Sequence, residues 1–134
     1  MAKWLFCAAA FCSTLGLIAH ELLGAPMVLP PLKEAEIAAE IVWLHHFSWH
    51  AGSVSVAVMA SMFLYAALRP GNLAVAVFAT AMSIGFAFLG IALALFGNEV
   101  LWGTPAPYAW LVVASLAGLG IAGEIRSKRR ITRD

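Results

Sequence analysis

Four stretches of this chain, Trp4 to Leu23, Ile41 to Leu68, Leu73 to Gly97 and Pro105 to Gly123, hold no Lys, Arg, Asp or Glu except Glu21. A helix needs about 20 predominantly apolar residues to cross the roughly 30 Å hydrocarbon layer of a bilayer, and each stretch meets that length. None alternates apolar and polar residues as a barrel strand does, and backbone groups cannot go unpaired in lipid, so each is expected to be an α-helix. The connections between them are too short for a water-soluble domain. The expectation is an all-α integral membrane protein, a four-transmembrane-helix bundle forming one membrane domain over residues 1–134, with a basic tail from residue 124 to 134.

Composition agrees. Of the 134 residues, 63% are apolar and 11% charged, against about half and a quarter in soluble domains. That much apolar surface has to face lipid. The net charge of +1 and the two cysteines argue against a nucleic-acid partner and against a disulfide-stapled secreted domain. Leu17-Ile18-Ala19 before His20 is a poor signal-peptidase site, and a Phe adjoins Cys7 and Cys12, so neither heads a lipobox; the first span reads as retained.

Charge placement gives an orientation. With four spans both termini share a side. That side holds Lys3, Arg69, Arg126, Lys128, Arg129, Arg130 and Arg133, and the other holds only Lys33. The positive-inside rule makes the termini cytoplasmic, which in a bacterium means the inner membrane with the opposite face in the periplasm. Glu21, Glu34, Glu36, Glu40 and Glu99 fall on the outer side, Glu124 and Asp134 on the inner. The run from Arg126 to Arg133 is a stop-transfer signal first; contact with anionic lipid headgroups is a generic expectation. Trp43, Trp49, Trp102, Tyr108 and Trp110 gather at the outer ends of the spans, while Trp4 and Tyr65 mark the inner side, as an aromatic belt.

Local signals refine the boundaries. Pro26, Pro30 and Pro31 are expected to forbid a long helix through the first outer loop. Glu34 and Glu36 fit the first turn of the incoming second helix, where acidic groups complement the dipole, and Gly52 is the expected kink point if that helix is continuous. Thr104-Pro105 reads as an N-cap and first helical residue. Ala81 and Gly85, with Ala114, Gly118 and Ala122, repeat at a spacing of four and predict close helix packing, within the bundle or in a homodimer.

The histidines ask for more. His20, His45, His46 and His50 all lie toward the outer face, although they come from two spans. Measured from Leu23 and Ile41 at the helical rise, His20 lies about 5 Å below the surface, His46 about 8 Å and His50 about 14 Å. His46 and His50 stand four apart on one helical face, with Ser53 continuing the polar seam. Two imidazoles at that spacing can bind one Zn, Cu or Fe ion, with His20 as a third ligand. His45, Glu21 and Glu99 are candidates for a further ligand or supporting partner. Haem held by one histidine from each of two facing helices is the variant. Alternatively, the imidazoles anchor the helices at the interface and the protein is purely structural, or they serve a proton relay or ligand contact. Cys7 and Cys12 form neither a C-x-x-C pair nor a pair on one helical face, which points to packing. No residue pair identifies a reaction.

His20-Glu21-Leu22-Leu23-Gly24, Arg69-Pro70-Gly71 and Phe96-Gly97-Asn98-Glu99 resemble short pieces of the small multidrug-resistance transporters. The resemblance implies a small-solute or cation transporter acting as a dimer, with Glu21 as its proton- and substrate-coupled carboxylate. That family holds its Glu near mid-membrane, whereas Glu21 falls at the outer end of its span, and the histidine run and first outer loop have no counterpart there. The reading drawn from the residues is therefore a small polytopic membrane protein whose outer-face histidines hold a metal ion or haem, as an accessory or assembly component of a larger membrane complex.

Overall fold

The computed structural model describes residues 1–131, so Arg133 and Asp134 lie outside the described residues. All regular structure among the described residues is helical: α1 (Ala2–Ala19), a π-turn (His20–Gly24), α2 (Ala25–Glu34), α3 (Ala39–Leu68), α4 (Leu73–Phe96), a 3-10 turn (Glu99–Gly103) and α5 (Ala109–Ile131). Four helical segments are long and apolar enough to cross a membrane, beginning at Ala2, Ala39, Leu73 and Ala109.

α1 packs against α3 and α5, and α4 against α5 and α3, so the order around the bundle is α1, α3, α4, α5. The core is built from small residues with a few large ones set among them. Phe6, Phe63, Met59 and Val113 are its largest fully buried apolar side chains apart from Pro107, surrounded by Ala9, Ala76, Ala79 and Ala117. Large apolar side chains point the other way, with Phe11, Phe78 and Phe88 all exposed. This is the arrangement expected where lipid supplies the apolar solvent and close approach of backbones holds helices together. Buried hydroxyls are satisfied locally. Ser13 and Thr80 donate to the carbonyls of Ala9 and Ala76 four residues back, and Ser83 donates to the Met59 sulfur at 3.1 Å across the α3–α4 contact.

Two glycines carry the closest approaches between different elements. A Cβ on Gly120 would lie 2.7 Å from the Phe6 ring, and one on Gly90 would lie 2.6 Å from the Ala106 carbonyl oxygen. The small residues picked out by spacing are placed differently. Ala81, Gly85 and Ala122 are exposed, Ala114 and Gly118 half-buried, and a Cβ on Gly85 or Gly118 would meet nothing within 4 Å. They make no tight seam within this bundle. The close-packed face of α4 is Ala76, Ala79, Ser83, Ala87, Gly90 and Ala94 instead.

The segment that carries Pro26, Pro30 and Pro31 departs from expectation. It is helical through all three prolines. The preceding π-turn explains part of this: the Ala25 N–H bonds to the carbonyl of His20, five residues back, and the next residue is Pro26, which has no N–H to continue any register. Pro30 and Pro31 then leave two carbonyls without helical donors, on a short helix that buries only Leu29. The chain breaks later, at residues 35–38, where Ala35 and Ala38 take extended ψ values of 141° and 138°. Glu34 accordingly ends α2 and Glu36 lies in the bend, leaving Glu40 in the first turn of α3. α3 runs unbroken through Gly52.

The last helix differs at both ends. Thr104 and Pro105 begin a turn in which the Thr104 hydroxyl accepts from the Ala106 N–H at 3.4 Å, and α5 starts at Ala109. α5 continues to Ile131, so much of the basic tail is helical. The Arg69-Pro70-Gly71-Asn72 connection turns at Gly71, whose φ of +102° is a conformation that side chains disfavour.

Candidate functional site

The π-turn wraps Trp49 of α3. The His20 ring stacks on the indole with centroids 4.0 Å apart and planes 13° from parallel. At the other end of the turn, a Cβ on Gly24 would come within 3.0 Å of the same indole, so the absence of a side chain there lets Trp49 in. This insertion sets the register between the two elements and brings four polar side chains together: His20 and Glu21 from the turn, His50 and Ser53 from α3.

Their hydrogen bonds have one consistent direction. Glu21 Oε1 accepts from the Ser53 hydroxyl, and it stands 3.1 Å from His50 Nδ1 and 3.7 Å from His20 Nδ1. An ionised carboxylate only accepts, so His50 donates through Nδ1–H. Ser53 has spent its one proton on Glu21, so it accepts from His20 Nδ1–H at 3.1 Å. The chain reads His20 to Ser53 to Glu21, with His50 donating to the same oxygen. Both imidazoles thus carry their proton on Nδ1 when neutral and keep the Nε2 lone pair. A carboxylate fixing the tautomer and orientation of an imidazole is the usual support for a metal-binding histidine.

The remaining candidates are spread around this cluster. His46 lies one turn along α3, its ring centre 6.4 Å from that of His50 and 5.1 Å from that of Trp43. Its Nε2 is buried with no hydrogen-bond partner among the described residues, as is Trp49 Nε1. Native structures rarely leave such atoms orphaned without a water or ion to account for them. His45 is exposed and leans toward Trp49, ring centres 6.5 Å apart. Glu99 is exposed on the 3-10 turn after α4 and takes no part in the cluster's hydrogen bonds. Lys33, at the end of α2, sits 5.7 Å over the Trp43 ring and ties that helix to α3.

Among the described residues, no three His, Cys, Asp or Glu side chains stand together at metal-holding distances. Two imidazoles sharing an ion at about 2.0–2.1 Å from each nitrogen have ring centres roughly 5 Å apart. His46 and His50 would have to close by a little over 1 Å from their 6.4 Å separation, a side-chain adjustment on one helical face. His20 pairs with Ser53 rather than with His46, deeper along α3 than the sequence-based depths imply. Ser53 is the residue to which sequence gave too small a role: its place in the polar seam was visible, but its bridging of His20 to Glu21 depends on the register that Trp49 sets. Cys7 and Cys12 are free and half-buried on α1.

Comparison with protein-family models, with curated proteins and with solved structures returns no match for this chain.

Proposed function

We propose that this is a small multi-pass membrane protein that binds a divalent transition-metal ion at its histidine-bearing end. His46 and His50 supply the paired imidazoles, His20 is the third candidate ligand, and Glu21 with Ser53 orients the rings. In this reading the protein sits in a bacterial inner membrane with both termini cytoplasmic, and serves as an accessory or assembly component of a larger membrane complex. The orientation rests on the basic residues collected at the opposite end.

The observation that carries the reading is the direction of the hydrogen-bond chain. It commits Nδ1 of His20 and His50 to Ser53 and Glu21, leaving both Nε2 lone pairs available, and His46 Nε2 has no hydrogen-bond partner among the described residues. Imidazole nitrogens suit Zn, Cu and Fe. Ionisable groups placed within apolar spans are costly and mark functional sites by default.

The test is elemental analysis and a visible spectrum of the detergent-purified protein after incubation with Zn²⁺ or Cu²⁺ and removal of excess metal. One bound ion per chain, lost in the His46→Ala, His50→Ala double variant, supports the proposal. A Soret band would replace the ion by haem. Absence of both, with retention of fold in the double variant, would leave the imidazoles as interfacial anchors.

A further inference from the structure

At the opposite end of the bundle, the start of α1, the α3–α4 turn and the last turns of α5 line a half-open cavity of about 530 Å³. Phe6, itself 1% exposed, lies among its apolar lining, and Lys3, Ser127 and Lys128 are among its polar residues. Its one acidic residue is already engaged: the Glu124 carboxylate accepts the Gly71 N–H at 2.8 Å and stands 3.9 Å from Lys128 Nζ. Lys3 has no ion-pair partner among the described residues. Around the cavity, the same end of the bundle carries Arg69, Arg126, Arg129 and Arg130, against Glu124 as its acidic residue among those described.

We infer that this cavity binds the phosphodiester headgroup of an anionic phospholipid, with Lys3 as the cation that faces the phosphate. Three observations favour this occupant. The lining combines cations and a hydroxyl with an apolar part, which suits an amphiphile better than a fully polar solute. The cavity lies where the apolar helices end, at headgroup level for a chain that crosses the bilayer. And the carboxylate that could repel a phosphate is held by the turn backbone. Basic pockets between helices at a membrane surface bind anionic headgroups in this way.

Native mass spectrometry of the full chain in maltoside detergent, titrated with dioleoyl phosphatidylglycerol, dioleoyl phosphatidylcholine or inorganic phosphate, tests it. One phosphatidylglycerol should bind with about fivefold or greater preference over phosphatidylcholine, and Lys3→Gln should weaken it by about fivefold. Ser127→Trp, which places a bulky ring in the lining without altering charge, should abolish it. Arg130→Gln, a substitution at the same end but outside the cavity lining, should leave it unchanged. The inference is overturned if Arg130→Gln costs as much as Lys3→Gln, since that is generic attraction to a basic surface. It is also overturned if the two lipids bind equally, if Ser127→Trp binds normally, or if inorganic phosphate displaces the lipid at equal concentration.

Discussion

Two glycines one helix apart should respond in opposite directions to the same added methyl group. A Cβ on Gly90 would sit 2.6 Å from the Ala106 carbonyl oxygen, 3.0 Å from its carbon and 3.2 Å from Pro107 Cα, all backbone atoms that cannot rotate aside. Pro107 is fully buried, and the segment is pinned by the Tyr108 and Ala109 N–H groups, both bonding the Pro105 carbonyl at 3.0 Å. Relief therefore requires α4 to back away from the α5 entry by several tenths of an ångström, at an overpacking cost of about 1–3 kcal/mol. Alanine returns about 1 kcal/mol through helix propensity, so Gly90→Ala should be destabilised by up to about 2 kcal/mol. Gly118 on α5 has nothing within 4 Å of the same atom, and Gly118→Ala should gain the propensity term alone, up to about 1 kcal/mol. Reversible unfolding in mixed detergent, followed by helical circular dichroism, reads both. Gly90→Ala at least as stable as Gly118→Ala would refute the packing of residues 105–108 onto α4.

Other predictions follow from the same geometry. Glu21→Gln keeps the shape of the side chain but removes the charge that orients the imidazoles, and should lower metal affinity by about 10- to 100-fold; Glu99→Gln, outside the cluster, should leave it unchanged, both read by calorimetric titration with Zn²⁺. Gly71→Ala forces a Cβ into a backbone held at φ +102° and should cost about 1 kcal/mol or more in the detergent unfolding assay; no loss of stability would contradict the turn. Gly24→Val should push the indole of Trp49 out of the π-turn, measurable as a shift in tryptophan emission and a loss of metal binding together. Emission and binding that both match the unsubstituted protein would sink the idea that Trp49 sets the register.

The four long apolar helices were legible because uncharged apolar runs of this length have one stable outcome in lipid. α4 runs from Leu73 to Phe96 and α3 from Ala39 to Leu68, within two residues of the limits read from hydropathy. The loop with Pro26, Pro30 and Pro31 was not legible, because proline's penalty depends on which carbonyls it orphans. Here a π-turn precedes the first proline, and the helix carrying the others is mostly exposed. The same turn explains the misplaced depths in the candidate site. Taking Leu23 as the end of a span put His20 near the surface beside His46. The helix instead continues to Glu34, and His20 meets Ser53. The close-packing glycines were hidden for a related reason: spacing identifies a stripe of small residues but not the direction it faces. Gly85 and Gly90 differ only in that Gly90 meets the chain entering α5.

The central claim is that imidazole nitrogens of α3 hold a metal ion while Glu21 stays outside its ligand shell. X-ray absorption at the Zn edge, on protein loaded with one equivalent of Zn²⁺ in detergent, tests it most directly. The account predicts nitrogen scatterers at about 2.0–2.1 Å with the multiple-scattering pattern of at least two imidazoles, and loss of that pattern in the His46→Ala, His50→Ala variant. A spectrum of oxygen ligands alone, or an unchanged spectrum in the double variant, would contradict it.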